Sequence, residues 1–161
     1  MEFEKFNLVA AYVPNAGEGL KWLEYWTKSW DPDFLKYLQD LETSSGKPVI
    51  LTGDLNVAHE EIDLKNKNNS KTPGFTKEER AGMTDLLSHG FTDAFWYLKP
   101  TEIKYSFWST RSNAWATNTG WRLDYFICSD SMRDSIQDSD IHTEVMGSDH
   151  CPVSIEIDLT Q

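Results

Sequence analysis

Apolar and polar positions along the chain alternate between strand-like and helix-like periods. "FNLVAAYV", Phe6 to Val13, is a short, mostly apolar run with β character closed by Pro14, and it predicts a buried strand near the start of the chain. After the turn-rich "PNAGEG", Leu20, Leu23 and Trp26 mark one helical face. "WDPDFLKYLQDL" restarts the helix, with Asp31 placed to cap it, Pro32 in the first helical position and Phe34, Leu35, Leu38 and Leu41 as the buried stripe. "PVILTGDLN" is a second buried strand. Residues 65–73 form a polar loop, and Thr76 with Glu79 makes a capping box for a helix to about Ser88, followed by a shorter helix over Thr92 to Leu98. Beyond Tyr105 the pattern turns to strands: "YSFW", "WRLDYFIC", "IHTEV" and "CPVSIEIDL", with a long loop at 109–120 and a short helix after Ser129. The reading is α/β, with a mixed sheet covered by helices in one domain over residues 1–161.

Three of these strands end or begin in residues a core does not want. Asp54 and Asn56 close the second strand, Asp124 sits inside "WRLDYFIC", and Asp149 and His150 open the last strand; Tyr12 lies near the end of the first. A buried carboxylate is costly unless it is paired or binds a cation. Taken singly each is a turn or cap residue. Converging on one rim, they are the inventory of a metal-assisted hydrolase: carboxylates for a hard cation and for water, and an imidazole for a phosphoryl oxygen.

Composition narrows the partners. With 161 residues, 39% hydrophobic, the chain suffices for a single core, and seven Trp, six Tyr and eight Phe exclude a disordered chain. The formal charge of −11 weighs against non-specific coating of nucleic acid. It leaves room for a phosphodiester substrate at a site where a cation inverts the local field. Cys128 and Cys151 have no zinc-like spacing and lie in apolar patterns, which predicts small buried thiols in a reducing compartment; no apolar run is long enough to span a bilayer, and no secretory signal is read.

Four segments in order, "YVPNAG" at 12–17, "GDLNVAHEEIDL" at 53–64, "GWRLDYF" at 120–126 and "GSDHCP" at 147–152, resemble the C-terminal motifs of the exonuclease III type apurinic/apyrimidinic endonucleases, eukaryotic branch. "GDLN" and "SDHCP" alone would mark only the wider endonuclease, exonuclease and phosphatase superfamily; the extensions narrow it. The resemblance implies the C-terminal portion of a four-layered α/β sandwich, with the N-terminal half absent and the sheet face that would meet it left apolar and unpaired. It implies a Mg2+ (or Mn2+) dependent DNA repair enzyme of the nucleus. Such an enzyme cuts abasic-site double-stranded DNA on the 5′ side of the lesion to leave a 3′ hydroxyl, with some 3′ exonuclease or phosphodiesterase activity; this chain alone is expected to be weakly active or inactive.

The resemblance also assigns roles. Asp54 would activate or orient the attacking water, Asn56 would orient water and phosphate, and Tyr12 would contact the scissile phosphate. His150 would bind phosphate with Asp124 holding its imidazole, and Asp149 would stand on the metal or leaving-group side. The metal set is Asp149, Asp54 and Asn56. Phe107 and Trp121 would form the apolar pocket for the base-free sugar, with Asn15, Arg111 and Asn113 as further substrate contacts. Departures from the family pattern are Glu18, an acid where relatives carry a DNA-inserting Arg, and the loop around Arg111, Asn113 and Trp115. Asn68, Asn69 and Ser70 are candidate phosphate contacts. His59, His89 and His142 lie outside the strand-end set. Two other readings stay open: a non-catalytic half-domain that assembles with its missing half or a second copy through an exposed sheet, and a superfamily phosphodiesterase with another substrate.

Overall fold

The computed structural model describes residues 1–66 and 71–160, so Asn68, Asn69 and Ser70 lie outside the described residues. Four strands form a mixed sheet in the order β1 (Asn7–Ala10), β2 (Val49–Asp54), β4 (Asp124–Ser129), β3 (Phe91–Asp93). β1 runs parallel to β2, whereas β4 pairs antiparallel with both β2 and β3. A separate antiparallel pair joins β5 (Ile136–Ile141) to β6 (Val153–Ile157).

Pleating sends alternate residues of the sheet to two cores. Val49, Leu51, Tyr125 and Ile127 pack with Leu38 and Met83, which come from helices α2 (Asp31–Ser45) and α3 (Lys77–Ser88). Ile50 and Cys128 face the other way, onto Met132, Ile136 and the half-buried Ile155 and Ile157 of the β5–β6 pair. The second face is therefore not bare, as the resemblance implied. β5 and β6 cover Ile50 and Cys128, while Leu8, Phe126, Ile155 and Ile157 remain only partly buried. Both thiols are buried, and burial pushes Cys128 up to about 12 and Cys151 up to about 11, which makes them inert fillers as expected.

Helix starts and stops follow local chemistry in part. Thr76 and Glu79 make the reciprocal capping box at the head of α3, and Gly46 closes α2 in the left-handed conformation at φ 66°. Asp31 does not cap a new helix. Leu23–Tyr25 (α1), a π-helical stretch Trp26–Trp30 and α2 follow one another without a break, since Tyr25, Trp26, Trp30 and Asp31 are all right-handed helical. The wider π turn admits Pro32 without a non-helical cap. The short helix expected from Thr92 is instead β3 followed by α4 (Ala94–Leu98), with Asp93 as cap, accepting from Phe95 N and Trp96 N. "YSFW" is no strand, only a bridge through Phe107, and "IHTEV" gives way to β5 one step upstream, where Ile136, Ser139 and Ile141 are the buried residues.

Candidate active site

Strand register brings the acids together. Asp54 and Asp124 are direct partners across the β2–β4 pair, so their side chains leave the sheet edge side by side. The chain returns through Phe107, which bridges to both Trp121 and His150. His150 is pinned on its far side by Cys151 N donating to Ser106 O, 2.9 Å, and Trp108 N donating to Asp149 O, 2.9 Å. These bonds place the imidazole over the two carboxylates.

His150 Nδ1 lies 2.8 Å from Asp124 Oδ2, and His150 Nε2 lies 3.9 Å from Asp54 Oδ2. A carboxylate can only accept, so the proton of this pair sits on Nδ1 and Nε2 is turned toward the opening. The hydrogen bond to Asp124 raises the His150 pKa; burial opposes it, and the charges of Asp124, Asp54 and Asp149 add to it. Asp54 is also pushed up, chiefly by burial, with the Asn56 amide pulling it down and Asp124 pushing it further up. Asn56 adopts φ 51° and folds back on its neighbour: its N–H donates to Asp54 Oδ1 at 2.8 Å, and its Nδ2 donates to Asp54 Oδ2 at 3.2 Å and to Val13 O at 2.8 Å. Asn15 Nδ2 donates in turn to Asn56 Oδ1, 3.2 Å. Gly53 allows this turn. At φ 129° it lies so close to β1 that a Cβ would sit 2.0 Å from the Ala11 carbonyl oxygen.

Asp54, Asn56 and His150 open into a cleft of about 720 Å³. Tyr12, Asn15, Arg111, Phe107 and Trp121 line it as well, and Tyr12 is 69% exposed. Phe107 stacks obliquely on His150 with ring centroids 4.8 Å apart, and Trp121 meets Phe75 edge-on at 6.4 Å. Glu18 also faces the cleft, with Leu123 and Gly74 on its walls. Two of the expected residues stand elsewhere: Asp149 and Asn113 line a second depression of about 540 Å³ that shares Ser109 with the cleft. Asp149 and His150 thus face different ways, as neighbours on an extended chain do. The remaining histidines are engaged away from the cleft, His59 with Thr84, His89 with Asp85 and His142 with Ser154.

Two residues without an expected role hold this geometry. Ser106, fully buried, accepts from the N–H groups of Leu123 and Asp124 through its hydroxyl, fixing the start of β4. Arg122, 1% exposed, reaches away from the cleft to two carboxylates: Nε donates to Asp63 Oδ1 at 2.7 Å and Nη2 to Asp63 Oδ2 at 3.1 Å, while Nη1 lies 2.8 Å from Asp93 Oδ2. The Asp93 contact is an ion pair without hydrogen-bond alignment, and among the described residues neither of its two atoms has another hydrogen-bond partner. A charged residue between Trp121 and Leu123 in an apolar run was the signal for this clamp.

The acids fit a hard cation only in part. Among the described residues no group of three or more His, Cys, Asp or Glu side chains is arranged to hold an ion. Asp54, with Asn56 beside it, offers oxygens on one side; burial pushes its carboxyl up, and a nearby cation would favour the charged form. Mg2+ is commonly held by one or two carboxylates together with phosphate oxygens and water, which this partial set matches.

Comparison with known proteins agrees with the motifs. The chain is 53% identical over 156 residues to the DNA repair nuclease APEX1 of Danio rerio, covering 96% of the chain and 49% of that protein. It is 46% identical over 161 residues to an exodeoxyribonuclease of Bacillus subtilis, covering 99% of the chain and 63% of that protein. It therefore spans roughly half to two thirds of the length of these relatives. Among solved structures, the AP endonuclease LMAP from Leishmania major superposes with a TM-score of 0.86 at 37% identity, over 92% of this chain and 49% of that one. Residues 4–150 match the Endonuclease/Exonuclease/phosphatase family, and the chain belongs to it.

Proposed function

We propose that this chain carries the phosphate-handling part of an apurinic/apyrimidinic endonuclease, a DNA repair hydrolase that cuts 5′ of an abasic site and leaves a 3′ hydroxyl. The observation that supports this most is His150, bonded to Asp124 through Nδ1 and turning Nε2 toward Asp54 at the floor of an open cleft. An imidazole held in one tautomer, with its pKa raised, meets the charge that grows on a phosphoryl oxygen as water attacks. Asp54 orients that water, Asn56 holds Asp54 in place, and Tyr12 reaches the phosphate from the cleft mouth. Phe107 and Trp121 take the sugar face; a base-free deoxyribose fits between such rings where an intact nucleotide collides. Arg111 and Asn15 contact the flanking backbone. Were Mg2+ or Mn2+ bound, Asp54 and Asn56 would supply part of its shell and the cation would neutralise phosphate charge.

The small donor set and the relatives' greater length support the further reading that the chain alone has little or no activity and works with an N-terminal half. Nicking of an abasic duplex in Mg2+ tests both points, using the chain alone and the chain joined to the N-terminal half of the Danio rerio relative. The joined protein is expected to nick, and its His150→Ala variant to lose about 10²-fold or more, the usual weight of one donor to a developing oxyanion. Equal cleavage by that variant would remove His150 from the chemistry, and efficient nicking by the isolated chain would overturn its inactivity. A second occupant of the partly buried Leu8, Phe126, Ile155 and Ile157 face is another copy of the chain, signalled by a mass that rises with concentration.

A further inference from the structure

Beside the cleft lies a depression that the hydrolytic reading does not use. Trp115 forms one wall, 38% exposed, and Met146, 67% exposed, stands on the rim. Trp115 is not loose: it meets the buried Trp108 edge-on with centroids 4.1 Å apart, and Trp108 Nε1 donates to Asn118 Oδ1 at 3.0 Å. Asn118 N donates back to Trp115 O at 3.1 Å, and Thr119 N to Ala114 O at 2.7 Å, so the loop presents the indole in a fixed orientation. Among the described residues Asp149 is the one charged side chain lining the depression. An acid there repels phosphate, so an occupant arriving from nucleic acid would present a neutral surface. Ser109 belongs to both depression and cleft, so the two adjoin.

From these features we infer that the Trp115–Met146 depression is a stacking subsite for an unpaired nucleobase of the strand being cut, next to the scissile phosphate. Trp115 supplies a flat aromatic face, Met146 a polarisable cover, and the Asn113 amide and Ser109 hydroxyl sit where base edges would come. Stacking of this kind tolerates any base, because each presents a π face. A base inside an intact duplex cannot enter, which makes the subsite selective for frayed or mismatched nucleotides. The inference rests on the reading of the cleft as a phosphodiester site.

The test is binding, without turnover, of oligonucleotides carrying 2-aminopurine beside a tetrahydrofuran abasic analogue, with the probe base either unpaired or paired. The full chain is compared with Trp115→Ala, Trp115→Phe and Met146→Ser; the last changes an exposed side chain and leaves folding alone. For the unpaired probe, Trp115→Ala should weaken binding about 5- to 150-fold and abolish the quenching of 2-aminopurine. Trp115→Phe should retain most of both, and Met146→Ser should lose a smaller part of the affinity. The paired probe should bind all four proteins alike. Equal affinity and quenching for the parent and Trp115→Ala overturns the subsite, and leaves the hydrolytic reading standing if the joined protein still nicks. Trp115-dependent quenching with no nicking by the joined protein removes the hydrolase and overturns the subsite's place beside a scissile phosphate, leaving only base stacking on Trp115. Absence of any oligonucleotide binding removes both.

Discussion

Replacing Arg122 with Met tests whether the buried clamp, rather than the cleft residues, fixes the geometry of the site. The side chains of Arg122, Asp63 and Asp93 are 1%, 3% and 4% exposed, and one cation serves two carboxylates. Removing the cation leaves two buried anions without a counter-charge, and breaking a buried pair in this way costs about 3–5 kcal/mol. For a chain of this length each kcal/mol moves the melting temperature about 2–4 °C, so the expected fall is about 6–20 °C. The carboxylate variants should rank below it. Asp63→Asn turns one of the two acceptors of the aligned hydrogen bonds into a donor facing the guanidinium, whereas Asp93→Asn leaves one cation facing one anion and keeps the oxygen that caps α4. The order of destabilisation is therefore Arg122→Met, then Asp63→Asn, then Asp93→Asn. Calorimetry and urea titration of the four proteins measure it. A melting shift of less than about 2 °C for Arg122→Met, or Asp93→Asn as the most damaging change, would refute the account of the clamp.

Other consequences are equally direct. Gly53→Ala must push β1 from β2 and strain a backbone at φ 129°; a loss of at least about 2–3 kcal/mol is expected in urea titration, and a loss under 0.5 kcal/mol would show that the Ala11 contact is soft. Thr76→Ala removes the α3 cap and a hydroxyl donor to the buried Glu79, whose carboxylate also receives Gly74 N from the cleft wall; about 1–3 kcal/mol should go, and no change would mean that water replaces the hydroxyl. Burial pushes the Asp31 carboxyl up to about 7, with Glu79 and Asp85 adding to it, whereas the unfolded chain titrates near 3.8. Between these values the native state holds a proton that the unfolded state has released, so stability is full below about pH 4 and declines as pH rises toward 7. Asp31→Asn should remove that decline and stabilise the protein at pH 8 by about 1–2 kcal/mol, after allowance for partial exposure and a lost helix N-terminal charge; equal pH–stability curves would contradict it.

The fold was legible where one element's own residues decide it. The run around Ile50 and Leu51 is buried on both faces, and the Thr76–Glu79 box closes its own bonds, so pattern and outcome agree. It was illegible where a distant partner decides. "IQDSDI" reads as polar, yet β5 forms because β6 offers backbone partners and a bulge between Ile136 and Asp138 turns its few apolar residues inward. Thr92 and Asp93 look helical until Cys128 and Ile127 of β4 take their backbone groups. Asp31 looked like a cap because nothing local announces a π turn.

At the site the limit is of another kind. Side-chain identity marked Asp54, Asn56, Asp124 and His150, since acids and imidazoles at strand ends need a reason, and the register of β2 with β4 makes two of them neighbours. Identity could not say which way adjacent residues turn. Asp149 and His150 share a peptide bond but serve different walls, because Trp108 takes the Asp149 carbonyl and Ser106 takes the Cys151 amide, leaving one side chain for the cleft and the other for the depression beyond Ser109. Those two backbone bonds make the position of His150 depend on the 105–109 segment, and that segment is in turn held through Ser106 by the same strand start that Arg122 anchors. Loosening the clamp should therefore displace the imidazole from Asp124, while the Asn56 side chain keeps a separate tie to the Val13 carbonyl beyond the end of β1.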